Sequence, residues 1–572
     1  MAVEKLIVDH IDTWTTARQT RSTAGRGSSG KIDLYGIKKL RELILELAVR
    51  GKLVPQDSND EPASELLRGM KKQQEDLIKE KKIKKPKKLP PIDEILESIS
   101  IPQGWELCYL NDIGDWGAGA TPNRTNSGYY GGNIPWFKSG ELSEDYITDS
   151  EEHITALALK ECSLRDNQPG DVLIAMYGAT IGKTSILNTR STSNQAVCAC
   201  TPFDGLSNQY LLTFLKASKR VFTSMGAGGA QPNISKEKIV ATQFALPPLK
   251  EQLRIVEKVE QLMSLCDQLE QHSLTSLDAH QQLVDTLLTT LTESQNADEL
   301  AGNWARISEH FDTLFTTEAS IDALKKTILQ LAVMGKLVPQ DPNDEPASEL
   351  LKRIAQEKAQ LMKDGKIKKQ KQLPPIGDEE KPFELPDGWE WCRIGNLVNI
   401  RPELVAPDEY QSLPQIAPDI IEKGTGKVTA KRTVKESGVK GPNSRFYKGQ
   451  IVYSKIRPSL SKAFLAEYDG LCSADMYPLD CFIDRSYLLK SILSEFFLIQ
   501  VRQAENRIKM PKLNVESFSN ILVTVPPSNE QQKIIMKLAA IDAFCDKAKS
   551  LIQSAQQTQL HLADALTDAA IN

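Results

Sequence analysis

"LAVRGKLVPQDSNDEPASELL", Leu47 to Leu67, returns almost unaltered as "LAVMGKLVPQDPNDEPASELL" from Leu331 to Leu351. The passage is not low in complexity. It joins an apolar helix end to a glycine, a proline, an acidic turn and a second apolar run. Chance recurrence of such a passage is negligible, so the chain carries an internal duplication. Aligning 40–92 with 324–376 gives 33 identities in 53 positions, and the closing "LPPI" matches as well.

The passage also reads locally. Leu40, Leu43, Ile44, Leu47 and Ala48 recur at the spacing of one buried helix stripe. Gly51 stands where a left-handed C-terminal cap is expected, and Pro55 blocks continuation. "NDEPASELL" opens a second helix, with Asp60 or Glu61 as its cap and Pro62 in its first turn. That helix is expected to run into the lysine-rich stretch Lys79–Lys88 and to stop before Pro90–Pro91.

On either side of this block, "IPQGWELCYL" (101–110) matches "LPDGWEWCRI" (385–394) at the same offset, and "HIDTWTT" (10–16) resembles "HFDTLFTT" (310–317). The first copy holds extra residues between these matches, in the basic, glycine- and serine-rich "ARQTRSTAGRGSSGK" (17–31), which reads as a flexible arm or loop. Beyond Trp105 and Trp389 the copies diverge. They rejoin at "GDVLIAMYGATIGKTSIL" (170–187) against "GQIVYSKIRPSLSKAFLA" (449–466), and at "QPNI" (231–234) against "MPKL" (510–513). The match becomes plain again at "LPPLKEQLRIVEKVEQLMSLCDQLE" (246–270) against "VPPSNEQQKIIMKLAAIDAFCDKAK" (525–549), where Cys266 aligns with Cys545.

The pattern is a helical pair, a variable globular domain and a long helix, written twice. It divides into an N-terminal segment with the basic arm (1–33), a first helical segment (34–99) and a first strand-rich domain (100–245). A first long helix (246–293) and a connector (294–317) follow. The second helical segment (318–384), second strand-rich domain (385–525) and second long helix with its tail (526–572) complete the chain. The long helices show apolar residues mostly three, four or seven apart, the seam of a helix packed on another helix. Leu253, Val256, Leu262, Cys266, Leu269 and Leu287 mark it in the first, and Ile534, Leu538, Ile541 and Cys545 in the second. At 1.5 Å per residue, a run of some forty residues is a spacer about 60 Å long. The fold class expected is α+β: two strand-rich domains separated by a pair of long antiparallel helices, related by a pseudo-twofold repeat.

Composition limits what such a protein does. Of 572 residues, 40% are apolar and 25% charged, as in folded globular proteins. No apolar run reaches the length of a membrane span, and the N-terminus has acids within its apolar stretch and no cleavage signal, so a cytoplasmic protein is expected. The nine cysteines form no CxxC pair, which argues against a structural zinc site. A net charge of −5 argues against a protein that coats nucleic acid, but local basic surfaces remain open.

Two unlike domains on a duplicated scaffold suit a reader of two unlike targets at a fixed distance, and DNA is such a ligand. In the first domain Asn123, Arg124, Lys138 and Ser139 offer donors to phosphates or base edges, whereas Trp136 and Trp105 are expected in the core. The second domain gathers Lys423, Lys427, Lys431, Arg432, Lys435, Lys440 and Arg445, followed by Lys455, Arg457 and Lys462. Such clustering in an acidic chain marks a phosphate-binding surface. "GATIGKT" (178–184) is one residue too short for a nucleotide-phosphate loop, and its counterpart "RPSLSK" lacks both glycines. It reads instead as a surface turn touching DNA, with Tyr177 and Lys183 at its ends. No dinucleotide fingerprint, methyltransferase base-holding segment, nuclease carboxylate set or nucleophile–base pair emerges, so no catalysis is expected.

The segments "GNIPWFKSGEL" (132–142), "GDVLIAMYGATIGKTSI" (170–186), "NQAVCAC" (194–200), "GGAQPNIS" (228–235) and 246–270 together resemble the specificity (S) subunits of Type I restriction–modification enzymes. The duplicated "LAV(R/M)GKLVPQ" block is similar to that of the longer members, which carry an extra N-terminal conserved segment. The resemblance implies two target-recognition domains, each reading half of an asymmetric bipartite site in double-stranded DNA, with helices that set the gap. It further implies two modification subunits that bind S-adenosylmethionine and methylate adenine, and two restriction subunits using ATP and Mg2+. No cofactor would be bound by this chain. The alternatives are a scaffold without sequence readout, or a fused DNA methyltransferase or nuclease.

Overall fold

The computed structural model describes residues 3–21, 31–90, 92, 101–226, 232–368, 371–504 and 511–571. It divides into two units: Met1–Thr275 with Ala555–Asn572, and Ser276–Ser554.

In the first unit, helix Tyr35–Val49 buries Ile37, Leu40, Leu43, Ile44, Leu47 and Ala48, the stripe that the periodicity marks. Gly51 ends it at φ +65°, and a Cβ there would lie 2.3 Å from Pro102 Cγ, so two independent demands require glycine. The next helix, Ala63–Lys79, starts one residue later than expected. Asp60 does not cap it. That carboxylate is buried and accepts from Arg254 Nη2 (2.6 Å), while the Ala63 N–H donates to Gly104 O (2.9 Å). The helix reaches the first residue of the lysine run and ends there, at Lys79, well before Pro90–Pro91, because Lys81 turns left-handed (φ +59°).

The variable domain is inserted through a two-stranded stem. Glu106–Tyr109, on the way in, pairs antiparallel with Gln243–Leu246, on the way out. Entry and exit therefore lie side by side, and the intervening residues can change without moving the scaffold. Beyond the stem lies a five-stranded sheet in the order Gly114–Ala118, Val197–Pro202, Val172–Ala175, Thr184–Leu187, Tyr146–Ile147. A three-stranded sheet orders Thr192–Ser193, Tyr130–Phe137 and His153–Ile154. Trp105 and Trp136 are buried, as their size leads one to expect. Within the basic stretch 17–31, Gln19–Arg21 pairs antiparallel with Lys31–Asp33, while 22–30, where the arm is expected, lie outside the described residues.

The second unit repeats these elements in order. Helices Glu318–Val333 and Ala347–Lys363 precede a stem of Glu390–Arg393 against Leu522–Val525. Gly335 (φ +72°) would place a Cβ 2.4 Å from Pro386 Cγ, and Ala347 N–H donates to Gly388 O (2.8 Å). Its variable domain differs, with two four-stranded sheets. One orders Val398–Ile400, Met476–Cys481, Ile451–Ser454 and Ala463–Leu465. The other orders Leu404–Val405, Asn443–Phe446, Gly470–Ser473 and Gln415–Ile416.

Each stem leads into a long helix, Leu249–Glu293 in the first copy and Ser528–Ile571 in the second. Both begin with a buried Glu-Gln pair. Gln252 Nε2 donates to Pro247 O (3.0 Å), and its Oε1 accepts from Ser207 N (2.8 Å). Gln531 does the same with Pro526 O (2.9 Å) and Asp484 N (3.0 Å). Glu251 faces Gln56 and Trp105, whereas Glu530 accepts from Gln340 and Trp389, and burial raises both carboxyls above their ordinary range. In the first unit Val256, Leu262 and Cys266 are buried with Leu560 and Ala563, and Leu269 packs at the edge. In the second, Ile534, Leu538 and Cys545 are buried with Val284 and Leu288, while Leu287 and Ile541 are partly covered. Leu253, expected in this seam, is 52% exposed; it lies roughly a third of a turn off the stripe through Ile255, Val256, Val259 and Leu262. Among the described residues no helix is long and apolar enough to cross a membrane.

Candidate nucleic-acid interface

The loop after strand Val172–Ala175 is anchored by its neighbour in space. Tyr177 forms an isolated bridge with Asn233, and Gly178 N–H donates to Pro232 O (2.8 Å). Gly178 and Gly182 take positive φ, +62° and +78°, which bend the loop back on itself. Tyr177 is 41% exposed at its start. At its end Lys183 Nζ donates to Gly140 O (3.4 Å), which ties the loop to the turn holding Ser139.

That turn continues into a second cluster. Lys138 and Arg124 both pair with Glu152, at 2.6 and 2.7 Å. The Arg124 guanidinium also lies 4.8 Å from the Tyr130 ring centroid and 4.9 Å from that of Trp136. Glu152 holds both cations charged and is itself held below the usual carboxylate range, by Lys138 first and then Arg124. Asn123 is turned inward to its own loop, its Oδ1 accepting from Thr125 N (3.1 Å) and Thr125 Oγ1 (2.9 Å). Arg124, Lys138, Ser139 and Lys183 thus form one contiguous polar edge. Its guanidinium is fixed by two rings and one carboxylate, the arrangement suited to presenting a planar donor fork.

In the second domain the equivalent loop repeats the anchoring with other residues. Ile456 bridges Lys512, and Arg457 N–H donates to Pro511 O (2.9 Å). Arg457 and Ser461 adopt φ +44° and +48°, where the first domain places Gly178 and Gly182. A left-handed arginine costs roughly 1–2 kcal/mol in backbone strain. Arg457 is exposed, and among the described residues no hydrogen bond or ion pair of its side chain offsets that cost.

The other cations of this domain fall into distinct environments. Lys455 donates to Ala474 O (2.8 Å) and shares Asp475 with Lys512, at 3.9 and 3.1 Å. Arg445 lies over Tyr410 (5.1 Å) and Tyr447 (4.9 Å), and Arg401 lies over the same Tyr447 (5.2 Å), whose hydroxyl donates to Glu403. Arg432 donates to Gln415 Oε1 and pairs with Asp419, both at 3.2 Å. Lys431 sits 5.7 Å from the Tyr468 ring, and Lys440 is exposed. Two more lysines meet partners within their own unit. Lys462 donates to Pro418 O and is half-buried, which lowers its ammonium pKa. Lys427 faces Asp546 of the long helix at 3.8 Å.

Sequence reading missed Arg401, Lys512, Glu152 and Asp475. Arg401, Glu152 and Asp475 lie far along the chain from the groups they complete, and no spacing signals them. The internal alignment of 510–513 with 231–234 did point to Lys512, since Asn233 holds the matching place.

The sequence at 102–279 and 386–556 matches the family described as Type I restriction modification DNA specificity domain. The chain is 45% identical to the Type I restriction enzyme EcoAI specificity subunit of Escherichia coli, with the whole of both chains covered. It is 44% identical to the EcoEI specificity subunit of the same organism, again over the full length of both. A solved HsdS subunit from Thermoanaerobacter tengcongensis aligns with 85% of this chain and 98% of its own, at 15% identity and a TM-score of 0.38.

Proposed function

From the premise that this chain belongs to the Type I restriction–modification DNA specificity family, we infer that its two variable domains read two different half-sites of one bipartite DNA sequence. The chain is the sequence-specific DNA-binding subunit of such a complex, and it directs the activity of modification and restriction subunits without catalysing either reaction. The observation that carries the bipartite reading is the pair of loops at 177–183 and 456–462. Identical backbone anchors hold them, yet they display different side chains: Tyr177 and Lys183 in one, Arg457 in the other. Equivalent presentation of unlike donors is what reading two unlike sequences requires. Arg124 and Arg445, each steadied on aromatic rings, would add contacts to base edges or phosphates.

The long helices act as the ruler. They run antiparallel about a pseudo-twofold axis, a reading supported by the presence of the far end of each helix in the core of the other copy's unit. Two modification subunits dock on the duplicated helical segments, carry S-adenosylmethionine and methylate one adenine in each half-site. Two restriction subunits supply the ATP- and Mg2+-dependent step. The complex works on intracellular DNA.

Selection from a random double-stranded DNA pool by the chain loaded with its modification subunits tests this. Two dissimilar short motifs at a constant unspecified gap are expected. A single continuous motif would overturn the bipartite reading, and no enrichment would overturn DNA reading altogether.

A further inference from the structure

The two lysine stretches that follow helices Ala63–Lys79 and Ala347–Lys363 are not accounted for by base readout. Between 68–88 and 352–372 the copies have drifted to 7 identities in 21 positions, yet 5 of those 7 are lysines, at 79, 82, 84, 85 and 87 of the first copy. Drift that alters most positions but leaves a charge pattern points to a use for the charge.

Both stretches leave their helices by the same built turn. Lys82 N–H donates to Leu77 O and Lys366 N–H to Leu361 O, both at 2.9 Å, around left-handed Lys81 and Gly365. Beyond the turn Lys84, Lys85, Lys87 and Lys88 are exposed, as are Lys366, Lys368 and Lys371. The second stretch is pinned to its variable domain, and the first comes near the equivalent place. Lys371 pairs with Glu516 at 3.1 Å. Lys87 lies close enough to Glu237 to help lower its carboxyl pKa, after the helix's own N–H and Ser235. Glu237 and Glu516 sit in the first turn of short helices, Lys236–Val240 and Val515–Asn520. Those helices begin just after Pro232–Asn233 and Pro511–Lys512, the segments that anchor the two loops assigned to DNA reading. In each copy, therefore, exposed ammonium groups come near the short helix that follows the segment anchoring the reading loop.

We propose that the duplicated lysine stretches are sequence-independent phosphate clamps, one beside each half-site, gripping the backbone of the same duplex. The proposal rests on the DNA-reading assignment above. Lysine is suited to the role because a mobile point charge accepts any phosphate position and so imposes no register.

The test uses the full chain assembled with its modification subunits, comparing Lys84→Gln/Lys85→Gln/Lys87→Gln/Lys88→Gln with the parent and with the corresponding quadruple arginine variant. Binding to selected and scrambled duplexes is measured across a salt series. For the glutamine variant we expect a salt slope smaller by about 1 per engaged lysine, and roughly tenfold weaker binding to both duplexes with their ratio unchanged. The arginine variant should keep the parent's slope. An unchanged slope in the glutamine variant would overturn the clamp, as would loss of modification-subunit binding at an unchanged slope, which would assign the stretch to an acidic protein surface. If the parent itself fails to prefer the selected duplex, the DNA-reading assignment fails instead. All four side chains are exposed and lie beyond the helix end, so the substitutions leave the packed core intact.

Discussion

Arg457 shows most directly how one residue can be chosen against the needs of the fold. It holds a backbone angle of φ +44° at a position where the other copy uses Gly178. Replacement by glycine relieves roughly 1–2 kcal/mol of strain and costs up to about 1 kcal/mol in unfolded-chain entropy. Arg457→Gly should therefore melt at or slightly above the parent temperature while losing preference for one half-site. Thermal unfolding together with DNA selection checks this, and retained preference at both half-sites would remove Arg457 from the reading surface. Lys358 carries a different lesson. Its ammonium is buried, donates to the carbonyls of Gly395 (2.8 Å) and Val398 (3.1 Å), and is pushed down by burial to about 8. Between that value and the ordinary lysine value near 10.4, the unfolded chain binds more protons than the folded one, so stability rises with pH across this window. The rise is on the order of 3 kcal/mol in full. Lys358→Gln, which copies Gln74 donating to Asn111 O (3.0 Å) in the first unit, should fold and lose that rise in urea titrations at pH 8 and 10. At this scale the sequence told which residues are cationic but not what holds them. Glu152, 28 residues beyond Arg124, pairs with both Arg124 and Lys138, and Lys462 is turned inward to a carbonyl that no local pattern could identify.

The long helices were legible because a buried stripe repeats along them at helical spacing, and Leu249–Glu293 lies within a few residues of the span that the stripe marks. The exact end of helix Ala63–Lys79 is not legible, because apolar periodicity fades gradually whereas the left-handed Lys81 ends the helix abruptly. Strand order was not legible at all. Thr192–Ser193 pairs parallel with Trp136–Phe137, and Gln415–Ile416 with Leu471–Cys472; such short pairings between distant segments leave no period in the sequence. If the helices are the ruler, their length is a separable variable. Inserting four residues after Leu269, just over one helical turn, adds about 6 Å, close to two base pairs of duplex. The preferred gap should lengthen accordingly with both half-site motifs intact. An unchanged gap would mean that the helix does not set it.

For the whole molecule, the duplication explains more than any single element. Gly51 and Gly335 under Pro102 and Pro386, Gln252 and Gln531 at the helix starts, and Arg41 and Lys325 paired with Asp267 and Asp546 are one set of contacts made twice. The scaffold is held nearly constant while each domain, attached through a two-stranded stem, is left to vary. A chain of net charge −5 can then act on DNA because its cations are gathered at loops and tails rather than spread over its surface. Each domain should then read its own half-site independently of the other. The most direct measurement maps methylated adenines across the genome of cells carrying, with the partner subunits, either this chain or a chimera whose residues 101–246 come from the EcoAI specificity subunit. The chimera's motif should change in one half only, with the other half and the gap preserved. A change in both halves, or in neither, would contradict it.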